Sequence, residues 1–130
     1  MFAPKTVPHI DGPGTFDQEV VGESHYQGNL KRICGGYKKE GSKLRAVAVL
    51  VYEDENEHEH DDQAIRVDIQ GYTVGYLSRD DARKYRRRID KTGNEGITIS
   101  CNAKVVGGRE TGILSSTNFG VWLDLPINEL

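Results

Sequence analysis

The sequence predicts a small, mainly β domain, an OB-like barrel of five to six strands with one clear α-helix over about residues 79–91 and room for a shorter second one. Three observations carry this. Residues 64–77 alternate apolar and polar side chains in two runs separated by Gln70 and Gly71, the pattern of a β-hairpin with one buried face. At Leu77 the period changes from two to about 3.6, as Ser78 is followed by Asp81 and then by Ala82, Tyr85 and Ile89 on one stripe. Further β-rich runs at 45–52, 97–106 and 119–125 stand either side of this unit, punctuated by glycines.

Residues 1–17 contain Pro4, Pro8 and Pro13 with Gly12 and Gly14 and show no periodicity, so they are expected to form a flexible tail ahead of a single domain at 18–130. A first strand is expected at 19–22 (EVVG), opening into a loop that carries Ser24, His25 and Tyr26. Leu30, Ile33 and Cys34 could make a short helical turn, which Gly35 and Gly36 end. Residues 45–52 (RAVAVLVY) are apolar on both faces and β-branched at Val47, Val49 and Val51, which suits a central strand. An acidic loop over 53–63 leads to the hairpin, whose second strand runs directly into the helix. Gly93 is placed to end that helix in a left-handed conformation, with Arg83, Lys84, Arg86, Arg87, Arg88 and Lys91 on its solvent face and last turn. Strands at 97–106 and 119–125 follow, joined by a turn at Gly107 and Gly108 and a loop over 110–118.

With 130 residues the chain can bury roughly two thirds of its unfolded surface without staples. Cys34 and Cys101 belong to no CxxC pair and are expected as buried thiols in a reducing compartment. No apolar run reaches the roughly 18 residues of a membrane helix, so a soluble, cytoplasmic protein without a membrane partner is expected. Seventeen basic residues against twenty acidic ones give a net charge of −3, which argues against a protein that coats nucleic acid through many phosphates. A local contact remains open, because the charge is segregated into basic blocks at 31–45 and 79–91 and an acidic one at 53–62.

Residues 36–43 (GYKKEGSK) imitate a phosphate loop with Lys and Ser in the wrong order, and are better explained as a basic surface loop. His58 and His60 in the acidic run are weak metal candidates, with His25 as a third imidazole, yet a loop this rich in carboxylates is more often simply solvated. No serine or cysteine has a base and an orienting group nearby in sequence, so no cofactor and no enzymatic activity are expected, a metal-dependent hydrolase being the residual alternative.

His25, Tyr26, His60, Asp61 and Tyr76 lie at expected strand ends and could line one groove rimmed by Arg79. Rings stack on bases and a carboxylate accepts from a terminal hydroxyl, so the set suits a nucleic-acid end. Each residue also has a plainer explanation: the tyrosines as half-buried packing, the imidazoles as surface groups, Asp61 as a turn cap.

Residues 20–28 (VVGESHYQG), 61–67 (DDQAIRV) and 74–82 (VGYLSRDDA), in this order and spacing, resemble the HIRAN domain, above all small stand-alone bacterial members, and 119–126 (FGVWLDLP) resembles their end. The resemblance spans roughly residues 19–86. It implies an OB-like barrel with helical additions and, as in the eukaryotic fork-remodelling translocases that carry this domain, binding of single-stranded DNA with capture of its 3′ end. It places Tyr26, Asp61 and Tyr76 at pocket positions. Ser24 and His25 stand where the eukaryotic domain has an Arg-Tyr pair, and His60 where it has an aromatic, leaving Arg79 or a lysine of the 31–43 block to supply the cation. The function implied is a non-catalytic module for single-stranded DNA or its 3′ ends in repair or at replication forks, working with a helicase or nuclease partner. The alternative is a protein-interaction module that keeps the fold without the pocket.

Overall fold

A computed structural model describes residues 7–53, 63–94 and 96–128. The elements follow in chain order as β1 (His9–Ile10), β2 (Gln18–Glu19), a 3-10 helix (Glu23–Tyr26), α1 (Gln27–Cys34), β3 (Ser42–Glu53), β4 (Ala64–Ile69), β5 (Tyr72–Tyr76), α2 (Arg79–Lys91), β6 (Ile99–Gly107), β7 (Glu110–Gly112), β8 (Ser115–Ser116) and β9 (Phe119–Asp124).

The main sheet runs β2-β9-β6-β3-β4-β5, with every neighbouring pair antiparallel and β1 added in parallel beside β6. It curls until its two edges meet: Val20 continues the β2–β9 pairing by donating to the Val121 carbonyl at 2.9 Å, and the next residue, Val21, exchanges backbone hydrogen bonds of 2.8 and 2.9 Å with Tyr76 at the other edge. The meander β3-β4-β5, then α2, then β6 and β9 on the other side of β3, is the strand arrangement of an OB barrel, with β2 slotted between β5 and β9. Gly75 makes the closure possible. Its φ of +150° and the 2.6 Å that would separate an added Cβ from the Val21 carbonyl oxygen leave no room for a side chain.

Alternation sets the interior. Ile65, Val67 and Ile69 from β4, Val121 and Leu123 from β9, Cys101 and Val105 from β6 and Leu50 from β3 are all 0% exposed. The central place of β3 between β6 and β4 is as expected, but its apolar character on both faces does not mean burial on both. A barrel has one interior, so Val47 is 52% exposed on the outside.

The local signals hold. Gln70 and Gly71 both have positive φ, 54° and 80°, the geometry of a type I′ turn. Ser78 caps α2 by accepting from the Asp81 amide at 3.1 Å, and Ala82, Tyr85 and Ile89 are buried. Gly93 has φ 77° just past the last turn, where Thr92 donates its hydroxyl to the Ile89 carbonyl.

Three segments differ from expectation. The loop carrying Ser24, His25 and Tyr26 is a 3-10 turn that runs straight into the expected short second helix, so α1 starts already at Gln27; its Leu30, Ile33 and Cys34 are buried and its Asn29 amide donates to the Thr73 carbonyl at 2.8 Å. Residues 110–118 contain the β7/β8 hairpin. Residues 7–17, read as part of a tail, are seated on the barrel. The Ser100 amide donates to the Pro8 carbonyl, the buried Asp124 carboxylate accepts from the amides of Gly14 and Phe16, and Phe16 lies under Arg45 and Lys104. A buried carboxylate that needs donors, and an aromatic that needs cover, tie down a segment whose local sequence has no periodicity. Both cysteines are free and buried, as expected.

Candidate nucleic-acid interface

The mouth of the site forms where the sheet closes. The Val21 and Tyr76 backbones pair, Gly22 turns the chain with φ 74°, and the 3-10 helix then delivers Tyr26 back beside Tyr76. Ser24 and His25 stand exposed on the same turn, while Tyr26 and Tyr76 are half-buried. Arg79 is exposed in the first turn of α2, two residues past Leu77. His60, Asp61 and the metal candidate His58 lie outside the described residues.

Beneath the tyrosines lies a polar network on the outer face of β3, β4 and β5. Tyr76 Oη donates to Glu53 Oε2 at 3.1 Å, and Arg66 Nη1 to Glu53 Oε1 at 3.0 Å. Arg66 also donates through Nε and Nη2 to Asp68, which accepts a further hydrogen bond from Thr73 Oγ1 at 2.9 Å. The register explains the grouping: Arg66 sits opposite Tyr76 and Asp68 opposite Thr73, across a bulge between Val67 and Asp68.

Burial, the bond to Glu53 and the neighbouring Tyr26 push the Tyr76 phenol well above its usual range, so it stays a neutral donor. The bonds to Asp68 and Glu53 raise Arg66 further above neutrality, so its charge is committed to two carboxylates. The mouth therefore offers two rings for stacking, of which Tyr76 is neutral and held in place from below. Arg79, Arg83 and Arg87 stand exposed on α2, the helix that follows β5.

Glu53, Asp68 and Thr73 were not among the expected site residues. The available signal was the alternation Arg66-Val67-Asp68 inside an apolar strand, which sets two charges on the outer face. Among the described residues there is no group of three or more His, Cys, Asp or Glu side chains that could hold a metal, and no helix long and apolar enough to cross a membrane.

The family model named HIRAN domain matches residues 13–125 of the 130. The chain belongs to the HIRAN domain family. HIRAN domains are nucleic-acid-binding modules, and the matched span takes in both edges of the closing sheet, β9 and the turn on Asp124. No curated protein and no solved structure matches the chain. For this HIRAN domain the match reaches further than the motif-bearing residues 19–86, because it includes the segment from 13 onward that packs on Asp124.

Proposed function

We propose that this HIRAN domain is a non-catalytic module that binds single-stranded DNA and receives its 3′ end at the mouth formed by Tyr26 and Tyr76, serving a helicase or nuclease partner in repair or at replication forks. The observation that carries the reading is the placing of Tyr26 beside Tyr76, whose ring Glu53, itself held by Arg66, keeps neutral and fixed. Rings held in this way lose little freedom when a base stacks, and stacking contributes about 1–3 kcal/mol per base without a uniformly basic protein. Ser24, His25 and His60 flank the strand, Arg79 meets its phosphates, and Asp61 accepts a hydrogen bond from the terminal hydroxyl. A carboxylate in that role repels a 3′-phosphate, which gives end specificity a physical basis.

The test is fluorescence anisotropy of labelled single strands of about ten nucleotides, within the usual OB-fold site size, near physiological salt. The strands end in a free 3′-hydroxyl, in a 3′-phosphate, or present only a free 5′ end. Tightest binding of the 3′-hydroxyl strand is expected, with the preference lost in Asp61→Ala and at least about tenfold of affinity lost in Tyr26→Ala with Tyr76→Ala. Equal and negligible binding of all three strands would replace this reading with that of a protein-interaction module.

A further inference from the structure

The hairpin that joins β6 to β9 carries a feature the mouth does not use. Ile113 and Leu114 at its tip are 99% and 97% exposed, far beyond Val47, the next most exposed large apolar side chain among those described, at 52%. Nothing in the hairpin calls for them. Its strands are polar (Glu110, Thr111, Ser115, Ser116), and a turn between such strands ordinarily takes Asn, Asp or Gly.

The tip overhangs a cleft of about 370 Å³ lined by Tyr37, Glu110, Ile113, Leu114 and Ser115, a volume at the lower end of small-ligand pockets. Tyr37 forms a fixed floor, because its ring stacks on Phe119 with 5.5 Å between centroids and 12° between planes. The surroundings are cationic. Lys31 Nζ lies over the Tyr37 ring, 4.8 Å from its centroid, on a flexible stem that must swing aside for a base to stack there, and Lys38 and Arg109 are backbone partners at the foot of the hairpin. An aromatic floor, an apolar lip and three cations are the elements of a stacked-base site with its phosphates, and Glu110 can accept from a base amino group. The hairpin also joins the last two barrel strands, one of the loops through which OB barrels grip oligonucleotides. The cleft lies close to the mouth. Gln27, next to Tyr26, bonds through its side-chain amide to both the carbonyl and the amide of Phe119, at 3.0 and 2.8 Å, and Phe119 carries Tyr37.

We propose that this cleft is a second subsite for an unpaired nucleobase, which stacks on Tyr37 beneath Ile113 and Leu114 while Lys31, Lys38 and Arg109 meet the flanking phosphates. The inference rests on the single-strand reading above for the strand that enters the mouth, but its own residues are separate from that mouth.

The whole chain is titrated by anisotropy with mixed-sequence single strands of about four and about sixteen nucleotides, the limits of the usual OB-fold site size. The double variant Ile113→Ser with Leu114→Ser, both on an exposed tip and so without cost to the core, is expected to weaken the longer strand about tenfold and leave the shorter unchanged. Tyr37→Ala does the same and Tyr37→Phe restores binding. Unchanged affinity for both strands, or equal loss from both, overturns the proposal. So does a tip variant that abolishes a concentration-dependent dimer, or binding to phosphatidylserine vesicles, while DNA binding stays intact. Tyr26→Ala with Tyr76→Ala separates the two sites: if it leaves both strands unaffected while the tip variant still weakens the longer one, the mouth reading fails and the cleft stands.

Discussion

The barrel is held shut in two very different ways. Along the seam between β3 and β6 the ladder runs without a break from Ser42 opposite Gly107 to Leu50 opposite Ile99, and the inward side chains Ala48, Leu50, Cys101 and Val105 are sealed from solvent. Where β2 meets β5, closure depends on one residue pair, Val21 with Tyr76, and on the absence of a side chain at Gly75. The continuous seam can carry the stability of the domain, whereas the closure is a local contact that a single atom can prevent. The candidate mouth sits at the closure. Residues there are set by what crosses them, not by their place in a long ladder, which is the common condition of functional positions on an otherwise rigid scaffold.

Gly75→Ala probes the closure most severely. The new methyl would meet the Val21 carbonyl oxygen and Val20 Cγ1 at a φ that side chains rarely adopt, so the edges must part. A loss above about 4 kcal/mol in denaturant unfolding is expected, together with loss of Val21 and Tyr76 amide protection in hydrogen exchange. Retained protection at those two amides would mean that the closure is not held as described.

The seam is probed through Cys101, which burial first and the nearby Asp124 second push up to about 12 from an ordinary 9.0. A raised folded value means that the neutral thiol is favoured by folding. Its contribution is complete below pH 9 and is lost as pH rises from there through about 12, where the loss approaches about 4 kcal/mol. Unfolding free energies measured across that range should fall more steeply for the native protein than for Cys101→Ala, and parallel curves would contradict a sealed seam.

The smallest effect is expected from Glu53→Gln, which keeps the shape of the buttress and removes its charge. It should cost about 1 kcal/mol, and it should lower the Tyr76 ionisation toward its ordinary value while burial keeps it raised. Ultraviolet titration against Tyr76→Phe would read this directly, and an unmoved Tyr76 component would remove Glu53 from the network.

What was legible in the sequence follows the same division. The hairpin at Gln70 and Gly71, the Ser78 cap and the Gly93 stop are written in residues that neighbour one another, and each forms where expected. The pairing of Val21 with Tyr76 leaves no local trace, since the two strands lie more than half the sheet apart in order and meet only because it curls. The first turn of α1 carries Gly28 and Asn29, weak helix formers, and is held by tertiary bonds from Gln27 to Phe119 and from Asn29 to Thr73, so it was invisible to periodicity. At the site, Tyr26 and Tyr76 were legible as members of a motif. The support of Tyr76 by Glu53 was not, because Glu53 reads as the first residue of an acidic run and only the β3/β4 pairing turns it toward Arg66.

The carboxylate of Asp124, buried at the end of β9, binds the amides of Gly14 and Phe16 and so fixes entry to the fold beside its exit. The two covalent connections of the barrel therefore lie side by side. The barrel is thus drawn together at its neck like a bead on a short loop of thread, and a pull on one connection is shared with the other through a buried carboxylate.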